Sequence, residues 1–107
     1  MATIGSVTKR DDGHYEGELR TLSVRAEISI VPVVDKGSPN QPDYRVLSGG
    51  IEVGAGWHRT GQTSGKEYVS LSISAPELGP RTIYANLGRP AGQTDPDVYA
   101  LIWNPQD

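Results

Sequence analysis

Trp57, His58, Arg59, Lys66 and Tyr68 bring aromatic rings and cations into one short stretch of the chain. Residue types in that mixture suit unpaired nucleic acid: aromatic faces stack on bases, and cations hold phosphates. Tyr84 extends the set. Its parity is opposite to that of Ile83, Ala85 and Leu87, and Tyr68 is likewise opposite to Val69, Leu71 and Ile73, so both rings are expected to face outward from their strands. Trp57 reads differently. It continues the alternation of Ile51, Val53 and Ala55 against Glu52, Gly54, Gly56 and His58, which makes it a core residue first and a stacking plane second.

Other constellations carry less chemistry. The run from Gly61 to Glu67 resembles a phosphate-binding loop, yet it is one residue short between its glycines, lacks a hydroxyl after Lys66, and precedes a strand pattern. Gly54-Ala55-Gly56 lacks the third glycine and following helix of a dinucleotide motif, and its glycines read instead as allowing close backbone packing or bending. Asp11, Asp12 and His14 offer metal-type donors, but they sit around an Asp-Gly step, where such residues serve a tight turn. His14 and His58 have no Ser-Asp pattern beside them, and Ser70, Ser72 and Ser74 read as the polar face of a strand. Arg20, Arg25 and Arg45 make a basic strip only if their strands are neighbours; pairing of Arg25 with Glu18 or Glu27 is the ordinary alternative. The chain has no Cys, which excludes disulfides, thiolate metal sites and Cys nucleophiles. No catalytic, metal or cofactor residue is assigned, and a non-enzymatic protein is expected.

The elements that position these residues are strands. Leu22, Val24, Ala26, Ile28 and Ile30 alternate with polar residues, and Pro32 places the far end of that strand on an edge or at a bulge. Two runs, 2–9 and 14–21, flank Arg10-Asp11-Asp12-Gly13 as a hairpin. The polar stretch 35–42 is an exposed loop, Tyr44 to Leu47 resumes a strand, and Gly49-Gly50 supplies a tight turn or a bend. A second hairpin joins 51–58 to 69–73 through a turn at 60–65. Strands follow at 82–87 and 98–103, the last apolar on both faces. No apolar pattern holds a helical period for three turns, so helix is confined to a turn near Pro76 to Leu78.

These features predict one all-β domain of 107 residues, a small antiparallel barrel or two-layer sandwich of about seven or eight strands, with the oligonucleotide-binding fold as one form of it. Its core is expected to include Trp57, Trp103, Ile28, Ile30, Val53, Leu71, Ile73, Ile83 and Leu101. A net charge of −3 supplies no general attraction to nucleic acid or anionic lipid. The absence of a signal-peptide pattern or a long apolar run predicts a cytoplasmic protein with no membrane partner.

Four blocks together resemble the bacterial family catalogued as domain of unknown function 736. They are Tyr15-Glu16-Gly17-Glu18-Leu19-Arg20-Thr21-Leu22; Pro42-Asp43-Tyr44-Arg45-Val46 leading to Gly49-Gly50-Ile51-Glu52-Val53-Gly54-Ala55-Gly56-Trp57; Tyr68-Val69-Ser70-Leu71; and Ile83-Tyr84-Ala85-Asn86-Leu87 with Leu101-Ile102-Trp103. The resemblance implies a setting on plasmids, integrative elements and phages, and no known activity. The chain departs from it where basic residues are common, carrying His58-Arg59 after the Trp, Ser72 in place of a Lys, and no basic C-terminal tail. Two functions follow as expectations. One is an accessory factor of a mobile element that contacts single-stranded nucleic acid or its bound machinery; the other is a protein-binding adaptor or inhibitor, for example of a host defence complex, using a strand edge or the Tyr-rich face.

Overall fold

A computed structural model describes residues 3–35, 37–61, 65–90, 92 and 94–104. Ala2, Lys36, the turn residues Gln62, Thr63 and Ser64, and the chain end from Pro105 lie outside the described residues. Eight strands form a closed antiparallel barrel: β1 (Thr3–Lys9), β2 (Tyr15–Arg20), β3 (Arg25–Pro32), β4 (Tyr44–Ser48), β5 (Ile51–Thr60), β6 (Glu67–Ile73), β7 (Ile83–Gly88) and β8 (Val98–Trp103). Each strand pairs with its successor, and β8 returns to β1, with Leu101 opposite Gly5 and Tyr99 opposite Val7.

That order is up-and-down, unlike the five-stranded Greek-key path of the oligonucleotide-binding fold. Every strand has two neighbours, yet β3 runs past its last pair with β2, Tyr15 with Ile30, so Pro32 pairs only with Tyr44 on β4 and its other side is a short local edge, where a missing N–H breaks no ladder bond.

The turns follow local chemistry. Gly49 and Gly50 both adopt positive φ, +59° and +80°, which makes their step a tight two-residue hairpin turn and not a bend. Helix is limited to a single 3-10 turn, Pro76–Leu78. Leu22 belongs to no strand. Thr21 N–H donates to Val24 O at 2.8 Å and Val24 N–H donates to Thr21 Oγ1 at 3.1 Å, so a turn interrupts the alternation and leaves Leu22 fully exposed.

The barrel interior is packed by Ile30, Leu71, Leu101, Val7 and Val46, all under 2% exposed, with Ile28 and Ile73 beside them. Val53 and Ile83 are half-buried against this core. Tyr15 and Tyr44 are core residues that the alternation did not single out. Trp103 is not core: it ends β8 at the mouth of the barrel, opposite the buried Ala85, and is 44% exposed.

Trp57 is not core either, and a bulge is the cause. On β4 and β5, Val46 pairs with Gly54 while Leu47 pairs with Glu52, so Val53 is an extra residue on β5. An extra residue moves every later side chain to the other face of the sheet. Val53 therefore packs inward, Gly54 and Gly56 take the inward positions beyond it, and Ala55, Trp57 and Arg59 face out. The inward positions need glycine: a Cβ on Gly56 would lie 2.7 Å from Leu71 Cδ2, and one on Gly54 would overlap the carbonyl of Ser72.

Candidate binding face on the outer wall of the barrel

The register places Trp57 opposite Ser70 and Arg59 opposite Tyr68 across the β5–β6 hairpin. The Arg59 guanidinium lies over the Trp57 ring, 5.6 Å from its centre. Trp57, Arg59 and Tyr68 thus form one compact cluster on the outer wall. Tyr84 faces the same way, opposite Ser72 on β6. Four residues of β6 separate Ser72 from Tyr68, a rise of about 13 Å, so Tyr84 shares the face without touching the cluster.

His58 does not belong to it. Its ring packs edge-on against Tyr44, centres 5.2 Å apart, and its backbone N–H donates to Asp43 Oδ2 at 2.9 Å. The side chain is thereby turned toward the end of the barrel. Lys66 lies at the hairpin turn, where its carbonyl accepts from Gly61 N–H at 2.8 Å.

The charge on the wall is divided. Beyond the bulge of β5, and on β6, β7 and β8, the outward positions are Ala55, Trp57 and Arg59; Tyr68, Ser70 and Ser72; Tyr84, Asn86 and Gly88; and Val98, Ala100 and Ile102. None is a carboxylate. The rest of the wall carries Glu16, Glu18 and Glu27 on β2 and β3 and Glu52 at the start of β5, before the bulge, partly matched by Arg10, Arg20 and Arg45 at N···O distances of 3.5, 3.9 and 3.6 Å. Such exposed pairs contribute at most about 1 kcal/mol each. Arg20 stands opposite Arg25, but Arg45 pairs across to Val31, so the three arginines form no continuous strip. At the centre of the uncharged half, Asn86 Oδ1 is buried without a hydrogen-bond partner, between Ser70 and Ile102.

The expected turn at Asp11, Asp12 and His14 holds a hydrogen-bonded chain. His14 Nδ1 meets Asp12 Oδ1, and His14 Nε2 lies 2.6 Å from Glu16 Oε1. The bond to Glu16, then that to Asp12, pushes the imidazole pKa above its usual value. Among the described residues no group of three or more His, Asp and Glu side chains is arranged to hold a metal ion. No helix there is long and apolar enough to cross a membrane.

Comparison with known proteins agrees with the blocks quoted above. A family model described as a protein of unknown function, DUF736, matches residues 3–106. The chain belongs to the DUF736 family. No curated protein and no solved structure matches it. For this DUF736 member, the bulge at Val53 is what the sequence reading missed. The signal was present in Gly54 and Gly56, since two glycines at alternate positions of a strand often mark a bulge or a close packing of backbone.

Proposed function

We propose that this DUF736 protein is a non-enzymatic accessory factor of a bacterial mobile genetic element that works as a binding module, and that the outer wall of β5–β8 docks a protein partner. The observation that carries the reading is the gathering of Trp57, Arg59 and Tyr68 on the half of the wall without carboxylates. Trp, Tyr and Arg are the residues that most often dominate binding energy at protein interfaces, and charge is depleted at interface centres. A single-stranded nucleic acid also stacks on such rings, at about 1–3 kcal/mol per base. The electrostatic affinity for phosphates comes from Lys and Arg, however, and Arg59 is the one cation among the outward strand positions of this half.

The test is a photo-crosslinking amino acid placed at Ser70, at the centre of the face, or at Ser29 on the acidic half, in cells of a host carrying the element. Discrete crosslinked proteins from Ser70 that disappear in a Trp57→Ala, Tyr68→Ala background support the reading. Equal products from both positions argue against it. Fluorescence anisotropy of labelled single-stranded DNA and RNA at low salt separates the alternative: tight, salt-sensitive binding weakened by the same double variant replaces the protein partner with nucleic acid.

A further inference from the structure

The two ends of the barrel are filled differently. At one end Tyr15, Tyr44 and Tyr99 project inward and pack edge-to-face, with Tyr15 centred 5.9 Å from Tyr44 and 5.4 Å from Tyr99. Arg89 closes over Tyr99, 4.6 Å from its ring, and donates to the carbonyl of Pro96. That end is plugged. At the other end the inward positions hold smaller residues, and a cavity of about 410 Å³ remains. Leu19, Ile28 and Ile73 form its buried floor, Val24, Ala26 and Val53 its sides, and the 3-10 turn with Pro76 and Leu78 its roof.

We infer that this open end is a binding cup for one neutral, mainly hydrocarbon small molecule. The volume lies in the range of small-ligand sites, about 300–1,000 Å³. An eight-stranded barrel is just wide enough inside for side chains or one small ligand, whereas a helix with its side chains is about 10–12 Å across, so the cavity does not admit a helix of another chain. The rim supports the same conclusion. Leu22, Ile51 and Trp103, three of the four large hydrophobic side chains exposed among the described residues, all lie at this end. Leu22 and Trp103 line a second apolar hollow with Ile4 and Ile83. Charge sets the ligand class. Glu77 is the one charged side chain on the cavity lining, so a carboxylate head would meet like charge, and no buried group there would pair an ion.

Titration with the neutral fluorophore N-phenyl-1-naphthylamine tests the inference. The full chain is expected to bind one probe saturably, and Ala26→Phe, which fills the cup, to weaken binding at least tenfold while Trp57→Ala leaves it unchanged. Ala75→Leu narrows the opening from the roof and serves the same purpose if Ala26→Phe does not fold, as judged by thermal melting. Decanol should displace the probe at lower concentration than decanoate. Non-saturable binding, full affinity in folded Ala26→Phe and Ala75→Leu, or loss of binding in Trp57→Ala would overturn the cup; preference for decanoate would overturn the neutral ligand.

Discussion

Trp57 stands directly opposite Ser70 on the outer wall of the barrel, while its chain neighbour Gly56 faces Leu71 in the interior. One extra residue in β5, Val53, separates that arrangement from one in which the indole is core. The consequences for stability and binding are distinct.

Removing the indole should cost little. Trp57→Ala is expected to lower the unfolding free energy by less than about 1 kcal/mol, as for substitutions outside the core. Leu71→Ala, at a residue 1% exposed, should cost about 2–5 kcal/mol. Urea denaturation of both variants checks the difference, and equal losses would place the indole in the core after all.

The inward glycines of β5 should tolerate no side chain. Gly54→Ala drives a methyl into the backbone carbonyl of Ser72 and is expected to cost at least about 1–3 kcal/mol. Gly49→Ala meets open space, and its penalty, from a φ of +59°, should stay near about 1–2 kcal/mol. Thermal melts rank the two, with Gly54→Ala the lower.

His14 should titrate above its ordinary value of 6.5, because Glu16 and Asp12 hold its charged form. The raised value means that its stabilising contribution is complete below about 6.5 and is lost as pH rises through the folded-state pKa. Asp12 and Glu16 are lowered from 3.8 and 4.5, chiefly by bonds to His14, so their contribution is lost as pH falls through their folded values. All three contributions coexist between about pH 4.5 and 6.5. Proton NMR titration of the imidazole in wild type and Glu16→Gln should show a lower pKa in the variant.

Tyr15 should resist ionisation. Burial, then the neighbouring Tyr44 and Tyr99, raises its phenol well above the ordinary 10.0. Below about pH 10 this costs nothing; above it, stability is expected to fall as pH rises toward the folded-state value. Ultraviolet titration of wild type against Tyr15→Phe should assign to Tyr15 a phenol that ionises only together with loss of the fold, and disappearance in the variant of a phenol that ionises near 10 in the folded protein would contradict the assignment.

The sequence alone determined the β class, most strand positions, an interruption at Gly49-Gly50 that the structure resolves as a turn, the single helical turn at Pro76, and the outward parity of Tyr68 and Tyr84. These are local properties: alternation fixes the two faces of a strand, and turn residues fix its ends. Tertiary structure decided the rest. Pairing of β1 with β8 joins the two ends of the described chain, and no local pattern encodes that closure. Trp57 changed faces because the β4–β5 register, a relation between two strands, made room for Val53. Trp103 and Leu22 are apolar at strand ends and turns, where alternation continues on paper but the side chains stay exposed. The binding face and the cup are therefore properties of the closed barrel: the direction of Tyr68 and Tyr84 was legible in the chain, whereas that of Trp57 and Arg59 waited on the register of β4 and β5.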